Sequence, residues 1–245
     1  MNDRALQDEI IRYLADANLR AQGQRGSLIA AVEAAKARQF AHFLARRYYR
    51  DRLFRSFRYS HRFQPQTGRT AQDVADSKAF DAFLEECVLG SLASANRVAA
   101  MARAYLGAAP LPGLWWPDLL EYECAYFLQA ATSERSPSSA QPSRAVSTRC
   151  RRFAWALPEM LPRIRAGKPI SHDLRRECTL LFSRTDAGRI YVVEAEPLIE
   201  RIFCATDGTR TLEEIAEAAG VSAEDARQIL TALAEIGAVS PADKP

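Results

Sequence analysis

The chain has 245 residues, room for one large domain or two small ones, and an ordinary apolar share of 48%. Its net charge of +3 is too small to argue for nucleic acid by itself. No apolar run approaches the roughly 20 residues of a membrane span, and the start, Met1-Asn2-Asp3-Arg4, lacks the apolar core of a secretory signal. The five cysteines, Cys87, Cys124, Cys150, Cys178 and Cys204, are far apart and form no C-x-x-C pair. Neither a zinc site nor a disulfide framework is indicated, a cytoplasmic setting is expected, and most of these cysteines read as small core residues.

The expected elements begin with helices. Leu6, Ile10, Ile11 and Leu14 fall at helical spacing between Ala5 and Asn18. Gly23 and Gly26 punctuate, and Ser27 can cap a second helix through Leu28, Ile29, Val32, Phe40, Phe43 and Leu44. A third starts near Ser77 with Phe80, Phe83, Leu84, Cys87 and Val88 on one stripe, and a fourth runs from about Leu92 to Leu106. Pro117 fits the first turn of a fifth helix, ending near Ala131. The first region, 1–133, is thus expected to be a helical domain. Residues 134–147, rich in Ser and Pro with little to bury, read as a flexible linker.

The region 148–245 follows a different plan. Phe153, Trp155 and Leu157 alternate as in a strand, and 158–166 reads as a short helix ended by Gly167. Cys178–Arg184 and Arg189–Glu194 read as strands joined by Asp186-Ala187-Gly188, a hairpin loop. Residues 170–177 are too charged to read as a strand. Pro197 opens a helix to about Cys204. Asp207-Gly208 is a turn signal, Thr211 an N-cap, and Glu214 completes a capping box for a helix over Leu212–Ala219. Gly220 ends that helix; Ser222 caps the last one, 223–236, with Gly237 at its end and Ala238-Val239 extended. The fold expected is mainly α with a small α+β part: a helical domain, then a winged-helix-like module of β-hairpin and three helices.

Charge separates the ends of the chain. From His42 to Arg69 there are eight arginines and one acid, whereas Asp207 to Pro245 carries eight acids and three bases. A winged helix that reads DNA needs basic residues on its third helix. Here that helix offers Arg227 against Glu224, Asp225 and Glu235, so duplex binding through it is disfavoured; a winged-helix nucleic-acid-binding regulator stands as the alternative function.

The run Asp207-Gly208-Thr209-Arg210-Thr211-Leu212-Glu213-Glu214-Ile215-Ala216 resembles the PqqD-like fold, also called the RiPP recognition element, over roughly 178–239. The resemblance implies that the leader of a ribosomal precursor peptide adds as a strand to the hairpin edge and packs on the third helix, a β-augmentation. Carried onto this sequence, the edge is Arg189, Ile190, Tyr191, Val192 and Val193, and the helix wall includes Arg227, Leu230, Thr231 and Ala234. Such domains usually begin with three strands, and two are clear here, so the binding edge is this strand or another.

Trp115-Trp116-Pro117-Asp118-Leu119-Leu120-Glu121-Tyr122-Glu123 is the second distinctive stretch. Paired tryptophans at a helix start read as core packing or as interface anchors. The order of helices, linker and PqqD-like module resembles the partner proteins of multinuclear non-heme iron-dependent oxidases, of the methanobactin and 3-thiaglutamate type. That resemblance implies a non-catalytic subunit that presents a precursor peptide to the oxidase, which would hold the iron, with no cofactor on this chain. Trp115, Trp116, Asp118 and Tyr122 are candidate partner-interface residues, with Arg50 and Arg58 of the basic stretch.

The residues themselves indicate no enzyme. His42, His61 and His172 are the only histidines, without a carboxylate–histidine cluster for iron, a Ser-His-Asp set or a phosphate loop. Asp118, Glu121 and Glu123 read as a solvated or capping face rather than paired catalytic acids. The arginines from Arg46 to Arg62 interleave with Tyr48, Tyr49, Phe54, Phe57, Tyr59 and Phe63. Three readings of that stretch stay open: a helix burying Leu53, Phe54 and Phe57 with arginines in solvent, a surface that docks an acidic partner, and a stacking surface for single-stranded nucleic acid.

Overall fold

A computed structural model describes residues 34–133 and 139–240, with side chains from residue 39 onward. The helix expected over Ala5–Asn18, the Gly23 and Gly26 breaks and the Ser27 cap lie outside the described residues. The architecture is mainly helical with a small antiparallel sheet.

Helix α1 spans Ala34–Ser56. It buries Ala41, Ala45, Tyr49 and Leu53, a stripe at four-residue spacing that Phe57 continues. Phe40, Phe43 and Phe54 fall on the opposite side and are more than half exposed. Of the three residues expected to be buried around Leu53, Phe54 is therefore the exception: the small alanines at 41 and 45 set the stripe that meets the core. A 3-10 turn (Ser60–Phe63), a one-turn helix α2 (Gln64–Thr67) and a second 3-10 segment (Ala71–Asp76) lead to α3, Lys78–Leu84, which is capped by Ser77. Helix α4 (Leu92–Gly107) and helix α5 (Trp116–Ala131) pack against each other, and α5 also packs on α1.

The second half opens with β1 (Ser143–Arg144) and β2 (Arg149–Phe153). Helix α6 (Leu157–Arg165) follows, then strands β3 (Cys178–Arg184) and β4 (Ile190–Glu194). Helices α7 (Pro197–Ala205), α8 (Leu212–Ala219) and α9 (Ala223–Glu235) and the short β5 (Val239–Ser240) complete the chain as described. The main sheet has the order β2-β3-β4, all antiparallel. Its third strand is the alternating stretch at Phe153; Trp155 lies beyond it and Leu157 already starts α6.

Strand β3 divides the hydrophobic interior. Side chains alternate across a strand, and here Leu180 and Phe182 join the cluster built on α1, α3, α4 and α5, while Leu181 joins the cluster of α7, α8 and α9. Phe153, Leu157, Met160 and Ile164 also belong to the first cluster. The apolar contacts thus separate at the plane of the sheet, not at the Ser/Pro-rich segment. An uninterrupted Leu180-Leu181-Phe182 run is what a strand buried on both faces requires.

The segment 139–147 is shaped by its backbone. Strand β1 pairs with β5, the Gly208 N–H donates to the Pro142 carbonyl at 3.0 Å, and the Ala145 N–H donates to the Ala238 carbonyl at 3.0 Å. Little in its side chains signals this, because main-chain groups make the bonds. The corner it crosses is strongly specified. Asp207 Oδ1 accepts from the Thr209 N–H at 2.9 Å and its hydroxyl at 2.6 Å, Gly208 takes φ +87°, and Thr211 and Glu214 form the reciprocal capping box.

Candidate peptide-binding edge and basic cleft

Strand β4 is the last in the sheet, so one side of its backbone has no strand partner among the described residues. Which groups face outward follows from the hydrogen-bond phase. At the two ends of the β3–β4 ladder, the Thr185 N–H donates to Arg189 O at 3.0 Å and the Ala195 N–H donates to Thr179 O at 2.8 Å. Bonded and non-bonded pairs alternate in an antiparallel ladder. With Ser183 opposite Tyr191 and Leu181 opposite Val193, those residues turn their backbone groups inward. The N–H and C=O of Ile190, Val192 and Glu194 point to the free side. Side-chain direction follows the same parity: Val192 packs on the first cluster and Val193 on the second. Arg189 lies over the Tyr191 ring at 4.9 Å.

The opposite edge, β2, is differently furnished. Its exposed Arg151 and Arg152 are paired with Glu121 at 3.3 Å and with Glu200 at 3.2 Å. Charge on an edge strand discourages pairing with another chain, which leaves β4 as the more open of the two.

The helix wall carried over from the resemblance is gathered in one place, but not at β4. Arg227, Leu230, Thr231 and Ala234 share a groove of about 690 Å³ whose other walls come from Leu212 at the start of α8 and Pro142. The reason is helical register. Ala226 and Leu233 of α9 are buried in the core, with Ile229 and Ile236 packed beside them, so the stripe from Arg227 to Ala234 turns toward α8 and β5. Arg227 is held by Glu224 one turn earlier.

A second depression does adjoin β4. A cleft of about 310 Å³ is lined by Asp51, Arg52, Arg55, Tyr126, Arg184, Gly188 and Ile190. Two of the arginines are anchored on the C-terminus of α5, where the last carbonyls of a helix lack intrahelical donors. Arg52 Nε donates to Ala130 O at 2.9 Å, and Arg184 Nη1 donates to Thr132 O at 2.6 Å and Gln129 O at 3.2 Å. Arg52 also covers the Tyr48 ring at 3.3 Å, and burial lowers its proton affinity, with Arg184 and Arg55 adding to the effect. Spacing alone could not bring Arg52 and Arg184 together, since the sheet must first dock on α5.

The candidate interface residues on α5 take other positions. Trp116 is fully buried, Trp115 and Tyr122 nearly so; they pack with Phe63, Tyr59 and Phe182. These three rings are core. Asp118 Oδ2 accepts from the backbone N–H of Ala154 at 2.7 Å and Trp155 at 3.0 Å, fastening α5 to the link between β2 and α6. Desolvation raises its pKa against those hydrogen bonds. Arg50 is exposed, 3.5 Å from Asp76, and Arg58 is exposed beside the Tyr59 hydroxyl, to which its Nη2 donates at 3.2 Å.

Glu123 departs from the solvated face expected for it. It has no exposed surface, and its Oε1 accepts from the backbone N–H groups of Tyr59 at 2.7 Å and Ser60 at 3.1 Å. Burial pushes its carboxyl up to about 8. Glu121 does meet the solvent and bridges Arg103 and Arg151. A polar residue amid Tyr122, Cys124 and Ala125 sits on the apolar side of α5, and that position was the available signal.

Cys87, Cys124 and Cys178 are buried, Cys150 is partly exposed and Cys204 exposed, and none of the five is in a disulfide. Among the described residues, no group of three His, Cys, Asp or Glu side chains is placed to hold a metal ion, and no helix is long and apolar enough to cross a membrane. No protein-family model matches the chain, and no curated protein sequence matches it.

Proposed function

We propose that this chain is a non-catalytic, peptide-binding partner subunit that takes an extended segment of a precursor peptide on the free edge of β4 and presents it to an iron-dependent oxidase. The observation that carries the reading is the outward row of backbone groups at Ile190, Val192 and Glu194 on a terminal strand. Main-chain pairing supplies affinity for an extended peptide of many sequences, and neighbouring pockets supply selectivity. The oxidase and the leader-peptide origin of the ligand rest on the sequence resemblance at 207–216 and on the order of the regions. The reacting groups and the iron belong, in this reading, to the oxidase.

The test is direct. The neighbouring genes are searched for an iron-dependent oxidase and a short peptide, the full chain is co-expressed with such an oxidase, and co-purification is scored. Fluorescence anisotropy with the labelled N-terminal part of any short peptide found there then measures binding. Saturable binding that tolerates salt is expected. A chain that ignores the peptide but binds duplex DNA with a steep salt slope would instead be a nucleic-acid-binding regulator.

A further inference from the structure

The cleft at the start of β4 has a chemistry that bare backbone pairing does not use. Three guanidinium groups, Arg52, Arg55 and Arg184, converge on it against one carboxylate, Asp51. Arg52 and Arg184 spend part of their donors on the α5 carbonyls, which fixes their planes. The Arg55 side chain makes no hydrogen bond or ion pair among the described residues, and it is exposed. Gly188, at φ +83°, lies beside Arg184: an added Cβ would stand at ordinary contact distance, 3.4 Å, from its Nη2. Burial lowers the proton affinity of Arg52, repulsion from Arg184 and Arg55 adds to it, and an anion between the three relieves the repulsive part.

The position of the cleft selects the kind of anion. Ile190 lies in its lining and also turns its N–H and C=O to the free edge. Residues directly opposite in paired strands project to the same face. Ile190 shares its face with Arg184, its partner in β3. A peptide residue added opposite Ile190 therefore extends its side chain toward the arginines. The Asp51 carboxylate in the lining disfavours a long polyanion, whereas one carboxylate fits between forked guanidinium donors.

We infer that the cleft formed by Arg52, Arg55 and Arg184 receives the carboxylate of an Asp or Glu in the extended peptide bound at β4, at the residue opposite Ile190. The inference rests on the β4 reading above and adds a charge requirement and a register to it. Arg55 selects the acid, and Arg52 and Arg184 hold the cleft open as fixed walls.

The test uses the full chain and a displayed library of random unstructured peptides, selected in parallel on the wild type and on Arg55→Glu. Wild type is expected to enrich peptides with Asp or Glu at one fixed position. Arg55→Glu is expected to bind those peptides about tenfold or more weakly, the scale of one charge-assisted pair, and to enrich Lys or Arg at the same position. Arg55→Ala, which introduces no new charge, should lose affinity without reversing the preference; circular dichroism checks that both variants fold. Peptides that require the Val192 amide but show no fixed acid, and bind Arg55→Glu unchanged, would overturn the carboxylate inference and leave the β4 reading standing. If no selected peptide depends on the Val192 amide, both fall.

Discussion

The carboxylate of Glu123 accepts the backbone N–H of Tyr59 at 2.7 Å from a position with no contact with solvent. It thereby satisfies a donor at the turn that leaves α1 and ties that turn to the middle of α5. Its second oxygen, Oε2, has no hydrogen-bond partner within the described residues. The neighbouring Arg58 is exposed and weakens, without cancelling, the effect of burial.

This arrangement makes stability pH-dependent. The folded carboxyl titrates at about 8, the unfolded one near 4.3. Between those values the folded state holds a proton that the unfolded state has released. Stability is therefore highest below the unfolded value and falls as pH rises through the folded one, by on the order of 3–5 kcal/mol in total. Glu123→Gln keeps an acceptor for Tyr59 and Ser60 and cannot ionise. Urea unfolding from pH 5 to 9 should show a falling midpoint in the wild type and a much flatter one in the variant. Parallel slopes in the two proteins would remove Glu123 as the source.

Two neighbouring prolines separate binding from folding at β4. Val192→Pro removes an outward amide, and Tyr191→Pro removes an amide bonded to Ser183. The first is expected to weaken peptide binding in anisotropy about tenfold or more with a small loss of stability, on the scale of one or two hydrogen bonds. The second should destabilise the fold strongly. Equal losses of binding and stability at Val192 would argue against β4 as the binding edge.

Local code was the part of this structure legible in the sequence. The Thr211 and Ser222 caps, the Gly188 hairpin and the Gly220 stop depend on residues a few positions apart, and the structure places each where its chemistry predicts. Long-range placement was not legible. The alternation at Phe153 signals a strand but not that its sheet has helices on both faces. Ala226, Leu230 and Leu233 recur on one face of α9 and are buried, yet the groove beside that face meets α8 rather than β4. Trp115 and Trp116 fit both core and interface by composition, and only packing against Phe63 distinguishes the two.

Asp118 links the halves of the molecule through two backbone donors, and its loss should be felt in both. Asp118→Ala strands the N–H groups of Ala154 and Trp155 at a partly buried site and is expected to cost about 1–3 kcal/mol. Asp118→Asn retains a neutral acceptor and should cost less. Hydrogen exchange offers the sharper readout: the amides of 154 and 155 should lose protection in the alanine variant before those of β3 do. Unchanged protection there would show that solvent or another acceptor already serves these groups.

Thr211 tests whether the corner at 207–211 is scaffold or contact surface. Its hydroxyl accepts from the Glu214 N–H at 3.3 Å, and Glu214 returns the favour by accepting from the Thr211 N–H at 2.8 Å. Thr211→Ala removes the cap, for an expected loss of about 1 kcal/mol, read as a lower unfolding midpoint. Thr211 also lines the groove with Leu230 and Ala234, away from the lining of the β4 cleft. With binding at β4, peptide affinity should stay within about twofold of wild type, well under the energy of one hydrogen bond. A tenfold loss of affinity from so small a loss of stability would move the peptide from the strand edge to the α8–α9 groove. The four helix-wall residues would then regain the role that the resemblance gives them, and Val192→Pro would be silent in the same assay.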